Sequence, residues 1–307
     1  TGKENIIVIG DSFTRGSLAD NNATYPHLLD RWSPDTAFHN YGTVRYGTDQ
    51  ELLVYRDVAD EQDHKMVIVG YYFGNDMFDN VQSSPRRPQF AINNGSLIQT
   101  QSPTNETQSP TKEGGGILTG RYGQPFQDYL RANTRTYRFI APKLATSIRV
   151  LTGEKRERTT PLSGAELAEQ RRLTKHLLSA ISSQAEQHDA RVLIVGIPIR
   201  GEVNPSNPRR YSPEDAEKYA DVQREMIRNV SADSSHVEYL NLKPQLVDEH
   251  ERGNQVYGTT NFHMNEYGYR ITAQVIYRHL LGDGVIQSDG DVNLSREYDV
   301  ERTSCPN

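Results

Sequence analysis

Five short apolar runs recur along the chain with amphipathic stretches between them, and that rhythm predicts the fold. The first run, Ile6-Ile7-Val8-Ile9, sets four β-branched residues in succession without polar alternation. This is the pattern of a strand buried on both faces, as in parallel sheets. Similar runs predict strands at 5–10, 37–41, 66–73, 192–197 and 237–240. Helical periodicity fills the intervals at 25–32, 49–58, 164–188 and 213–230, and a last helix is predicted at 266–281. Strands alternating with helices imply parallel pairing through crossovers. The expected fold class is α/β: a three-layer α/β/α sandwich around a flavodoxin-like, five-stranded parallel sheet.

The rhythm breaks between about 81 and 160. Phe90-Ala91-Ile92-Asn93-Asn94-Gly95-Ser96-Leu97-Ile98 places two apolar runs around an Asn-Gly turn, a hairpin signal. Residues 99–116 are rich in Gln, Ser, Thr, Pro and Gly and predict a loop, and 125–151 reads as helical. The organisation expected is therefore one domain over 1–285, with an insertion at about 81–160 after the third strand, and a polar tail over 286–307.

Composition narrows the function classes. There are 34 basic and 40 acidic residues, a formal net charge of −6, with no basic stripe, so no nucleic-acid partner is expected. Arg86-Arg87 and Lys155-Arg156-Glu157-Arg158 read as solvated loop charges. No apolar run approaches the roughly 20 residues that cross a bilayer. The lone cysteine, Cys305, leaves no internal disulfide and no cysteine metal site. Gly114-Gly115-Gly116 lacks a following Lys-Ser/Thr pair and is no phosphate loop, and His263 with Glu266 has no second histidine at helical distance. Neither a metal nor a cofactor is expected. The chain starts at Thr1 and carries sequons at Asn22, Asn94, Asn105, Asn229 and Asn293. Together these suggest a trimmed, extracytoplasmic or secreted protein.

Candidate chemistry gathers where carboxyl ends of strands should converge. Gly10-Asp11-Ser12 follows the first strand and leaves a hydroxyl at a sharp turn, although Asp and Ser there also suit a helix cap. The second strand is followed by Asn40-Tyr41-Gly42-Thr43-Val44-Arg45-Tyr46-Gly47, and the third ends in Gly74-Asn75-Asp76. Thr259-Thr260-Asn261-Phe262-His263 precedes the last helix. Taken singly, Asn75-Asp76 could be a turn and His263 a packed or capping residue.

In this order, Gly10-Asp11-Ser12, the glycine-bearing turn, Gly74-Asn75-Asp76 and His263 resemble the four blocks of the SGNH/GDSL hydrolase superfamily, over about residues 4–282. The resemblance implies Ser12 as nucleophile and His263 as general base. Around the oxyanion it implies the Ser12 amide, Gly42 and the side-chain amide of Asn75, with Asp76 beside it. It also implies ester hydrolysis through an acyl-enzyme, on a small-molecule or glycan ester. The alternatives are an O-acyltransferase, or a binding protein that keeps the fold without the chemistry.

Two positions depart from the family pattern. Where relatives carry an aspartate two or three residues before the histidine, this chain has Asn261 and Thr260. An asparagine orients a ring without supplying charge, and in serine proteases that exchange lowers turnover by about 10⁴. The place of the block-two glycine is taken by Arg45, with Gly47 two residues later. The backbone N–H of Arg45 survives any side chain and keeps an oxyanion contact open, and the side chain is open to three readings: it binds an anionic group on a substrate, blocks the pocket, or pairs with Asp49 or Asp76.

Overall fold

A computed structural model describes residues 3–82, 87–102, 164–208, 211–259 and 261–287. In chain order the elements are β1 (Glu4–Gly10), α1 (Ser12–Arg15), a 3-10 turn (Asn21–Ala23), α2 (Tyr25–Trp32), β2 (Thr36–Asn40), α3 (Thr48–Ala59), β3 (Met66–Tyr72) and α4 (Asp76–Asp79). They continue with β4 (Gln89–Asn93), β5 (Ser96–Gln101), α5 (Gly164–Gln187), β6 (Arg191–Ile197), α6 (Arg200–Val203), α7 (Pro213–Ala232), β7 (Val237–Asn241), α8 (Lys243–Glu251) and α9 (Glu266–Gly282).

Five strands form one parallel sheet in the order β2-β1-β3-β6-β7. With the β4–β5 hairpin set aside, this is the 2-1-3-4-5 order of doubly wound sheets. Side chains alternate across each strand, so the apolar runs divide between two cores. Ile6, Val8, Ile68, Leu193, Val195 and Leu240 pack with α2 and α9 on one face. Ile7, Ile9, Val67, Val69, Ile194 and Val237 pack with α3, α5 and α7 on the other. Burial on both faces is what the unalternating sequence runs require.

The hairpin predicted around Asn94-Gly95 is present, antiparallel, with Asn94 and Gly95 both at positive φ. The readings at 103–163, including the loop, the helical stretch and Gly114-Gly115-Gly116, lie outside the described residues. Two compact units divide the chain, 1–104 with 161–307, and 105–160; the second lies wholly outside the described residues. Ile286, assigned from sequence to the polar tail, is 4% exposed within the α2/α9 core, so packed chain extends at least that far. Among the described residues, no helix is long and apolar enough to cross a membrane.

Candidate active site

Ser12 is delivered by a close approach of helix to sheet. Gly10 and Gly70 are paired neighbours on β1 and β3. A Cβ on either would lie 2.1 Å from Thr14 Oγ1, so the two glycines make the space into which Thr14 packs. Thr14 Oγ1 is 2.8 Å from Tyr25 Oη, which ties α1 to α2. Asp11 takes the capping role that the sequence left open between it and Ser12: its Oδ1 accepts from the Phe13 N–H at 2.8 Å. Ser12 is thereby free to point elsewhere, and it is 7% exposed.

Its hydroxyl meets the histidine. Ser12 Oγ lies 2.8 Å from His263 Nε2, and 3.4 Å from Asp11 Oδ2. The shorter contact is the stronger one. His263 sits on a loop closed by a bridge between Tyr257 and Met264, with the Gly258 N–H donating to the His263 carbonyl at 2.8 Å. Arg200, buried at the start of α6, donates through Nη1 to the carbonyls of Gly258 and Asn261 and so fixes this loop. The ring stacks on Phe262 at 4.3 Å and tilts against Phe13 at 5.0 Å. That apolar enclosure disfavours the charged ring, and burial lowers the His263 pKa to about 4.

Asn261 does not reach the ring. Its Oδ1 accepts from the backbone N–H of His263 at 2.8 Å, and His263 Nδ1 is buried with no hydrogen-bond partner among the described residues. Thr260 lies outside the described residues. Ser12 and His263 therefore form a pair, and the third member of a triad is not supplied by Asn261.

The remaining predicted residues line the region after β2 and β3. Asn75 donates through Nδ2 to Asp79 Oδ2 at 2.8 Å. Asp76 is buried and accepts the Tyr72 N–H at 2.8 Å, so it braces the turn. The Gly42 N–H donates to Asn40 Oδ1 at 2.9 Å, and a Cβ on Gly42 would lie 2.4 Å from the Arg15 backbone nitrogen. Gly42 thus serves the approach of the β2 turn to α1. Gly47 caps α3, and a Cβ there would lie 2.8 Å from Asn80 Oδ1.

Arg45 is exposed and holds φ 67°, the left-handed region that favours glycine and costs other residues about 1–2 kcal/mol. The glycine expected at this place would have matched the backbone. Of the readings open for Arg45, pairing with Asp49 or Asp76 does not occur among the described residues. Tyr71 and Tyr72 of the tyrosine-rich third strand are buried, and the Tyr71 hydroxyl donates to Gln223 Oε1 at 2.7 Å.

Three further residues at the site have no sequence signal that marks them. Asp79 and Arg200 carried no motif. Arg87 reads from sequence as a solvated loop charge, yet its side chain is only 15% exposed and pairs with Asp79 at 3.7 Å, its Nη1 donating to the Asp79 carbonyl at 2.7 Å. Behind Ser12 lies a group of buried acids. Burial raises Asp11 to about 7 and Asp49 to about 6, and pushes Glu51 and Asp76 well up, with mutual repulsion adding to it.

Among the described residues, one set could hold a metal ion: Glu238, His279 and Asp283, with ligand atoms within 4.8 Å of one another. They lie toward the amino ends of the strands, away from Ser12. Arg191 pairs with Glu238 there, so the set is already a hydrogen-bonded ion cluster at the end of α9.

The model of the GDSL-like lipase/acylhydrolase family matches residues 8–271. No curated protein sequence matches. Solved structures with similarity include a member of the lipolytic G-D-S-L family from Veillonella parvula DSM 2008, at 14% identity and TM-score 0.48, covering 90% of this chain and 97% of that one. An acetyl xylan esterase, AlAXEase, shows 11% identity and TM-score 0.47 over 90% and 99% of the two chains. A two-domain esterase active on acetylated mannans shows 10% identity and TM-score 0.47 over 99% of this chain and 53% of that one.

Proposed function

Because this chain belongs to the GDSL-like lipase/acylhydrolase family, we propose that it is a serine-dependent ester hydrolase in which Ser12 and His263 act as a dyad. The observation that carries this reading is the 2.8 Å contact between Ser12 Oγ and His263 Nε2, at the carboxyl end of β1. Ser12 Oγ attacks the ester carbonyl carbon while its proton passes to Nε2. The oxyanion is met by the Ser12 and Arg45 backbone N–H groups and by the Asn75 side-chain amide. The imidazolium then protonates the leaving alcohol, and the acyl group stays on Ser12. Water, deprotonated by Nε2, releases the acid and restores the serine.

The proposed substrate is a small ester on a carbohydrate. The rim after β2 supports this through its polar side chains, Tyr41, Thr43, Arg45 and Tyr46, all at least partly exposed. Arg45 in addition suits a substrate that carries an anionic group.

The second reading is a binding protein with silenced chemistry. It is favoured by His263 Nδ1, which has no partner among the described residues to stabilise a positive ring. Release of p-nitrophenol from its acetate separates the two. Turnover abolished by Ser12→Ala, together with covalent labelling of Ser12 by a fluorophosphonate, supports the hydrolase. Absence of both, in a protein that still retains glycans, supports the binder.

A further inference from the structure

Resting on that reading of Ser12, we propose that Arg87 is the positioning residue of the oxyanion side, holding both the Arg45 backbone and the carboxylate that orients Asn75. Its guanidinium makes three contacts. Nη1 donates to the Asp79 carbonyl at 2.7 Å, Nη2 donates to the Arg45 carbonyl, and Nη2 faces Asp79 Oδ2 at 3.7 Å. That same Oδ2 accepts from Asn75 Nδ2 at 2.8 Å. One planar fork therefore joins the turn after β2 to the turn after β3, a geometry that suits arginine and not lysine.

Each contact meets a specific need of this chain. Arg45 stands in left-handed backbone without being glycine, so its conformation requires an external hold, and the bond to its carbonyl supplies one. Asp79 commits one Asn75 N–H, and the amide also interacts with the Asp11 side chain next to Ser12, the side on which the proposed mechanism places the oxyanion. A lone carboxylate one hydrogen bond behind an oxyanion donor would oppose the developing negative charge. Arg87, 15% exposed beside an Asp79 that is 16% exposed, offsets it in a poorly solvated place.

Arg87 is itself held by the hairpin. Gln101, the last residue of β5, donates through Nε2 to the Arg87 carbonyl at 3.1 Å, and β4 begins two residues after Arg87. The hairpin thus acquires a task at the site, which is to present this guanidinium.

The test is a cycle of Arg87→Met and Arg45→Gly, singly and together, with Arg87→Lys beside them. It reads kcat and KM on p-nitrophenyl acetate, and amide hydrogen exchange over residues 43–48. Arg87→Met should lower kcat by about 10- to 100-fold, a part of the loss seen when one oxyanion donor is removed, with KM within about twofold. Arg87→Lys should recover only part of it. Glycine holds positive φ unaided, so Arg45→Gly should restore about threefold or more in the Arg87→Met background and less in the parent. Parental kcat in Arg87→Met, or the same effect of Arg45→Gly in both backgrounds, overturns the proposal. A parent without Ser12-dependent turnover defeats the hydrolase reading instead. Exchange then decides the role of Arg87: faster exchange at 43–48 in Arg87→Met, slowed again by Arg45→Gly, sustains it, and unchanged exchange overturns it.

Discussion

His263 meets Ser12 through Nε2, while Nδ1 has no hydrogen-bond partner among the described residues, so the Nδ1–H that the base carries before and after attack stays unpaired in an apolar enclosure. An unsatisfied buried donor of this kind costs about 1–3 kcal/mol. The neutral base already carries its proton on Nδ1, so this cost is common to both forms, and it is burial that disfavours the charged ring and lowers its pKa to about 4. Catalysis needs the neutral ring, so the acid limb of kcat/KM assigned to His263 should lie near pH 4, well below the ordinary histidine range. A His263 limb near 6.5 in the pH profile would contradict the enclosure described here. Asn261→Asp retains an acceptor for the His263 backbone N–H and adds negative charge beside the ring. It should raise kcat at least about tenfold and move the acid limb upward, since the exchange reverses the loss of a charged orienter. Unchanged or lower turnover in a folded variant would count against the dyad being limited by ring charge.

Elements place these groups through backbone contact as much as through side chains. The paired Gly10 and Gly70 admit Thr14, and with it the whole of α1. A Cβ on Gly70 would also lie 2.6 Å from Tyr25 Oη, so Gly70→Ala should destabilise the fold by about 1–3 kcal/mol, the usual cost of overpacking. A lowered urea midpoint with unchanged slope would show it, and a shift too small to detect would mean that α1 is free to retreat. The strands and long helices were legible in the sequence because their burial writes a period into it. α2 at Tyr25–Trp32 carries an apolar stripe, and the strand runs are β-branched. α8, Lys243–Glu251, was missed because it buries only Gln245, Leu246 and Glu249, two of them polar. The Ser12–His263 pair could be read because both belong to blocks with recognisable spacing. Arg87 and Arg200 could not, because each acts on carbonyl oxygens of distant segments, and a carbonyl leaves no trace in residue type.

At the scale of the whole molecule, the carboxyl ends of β1 and β3 converge on a set of acids that the sheet has withdrawn from water. Asp11, Asp49, Glu51 and Asp76 are all buried, and burial raises every one of them. Between the unfolded carboxyl values near 4 and the folded values, which reach about 6 for Asp49 and about 7 for Asp11, the native state binds more protons than the unfolded chain. Stability from this group is therefore fully present below about pH 4 and is lost as pH rises toward 7. His263 acts in the opposite sense, because its folded value is lowered: the unfolded chain binds the extra proton between about 4 and 6.5, so its contribution is lost as pH falls through that window. Four acids against one imidazole make the acids the larger influence from this region. Glu51 isolates it, since neither of its carboxylate oxygens has a hydrogen-bond partner and it contacts no substrate in the proposed mechanism. Glu51→Gln removes the charge at nearly constant shape, and should raise Tm by about 2–4 °C at pH 8, corresponding to roughly 1 kcal/mol. At pH 5, close to the ordinary carboxyl value, the gain should be much smaller, because burial shifts the Glu51 carboxyl toward its neutral form. Thermal unfolding of parent and variant at both pH values checks this, and an equal gain at each would show that Glu51 stays ionised in the folded protein.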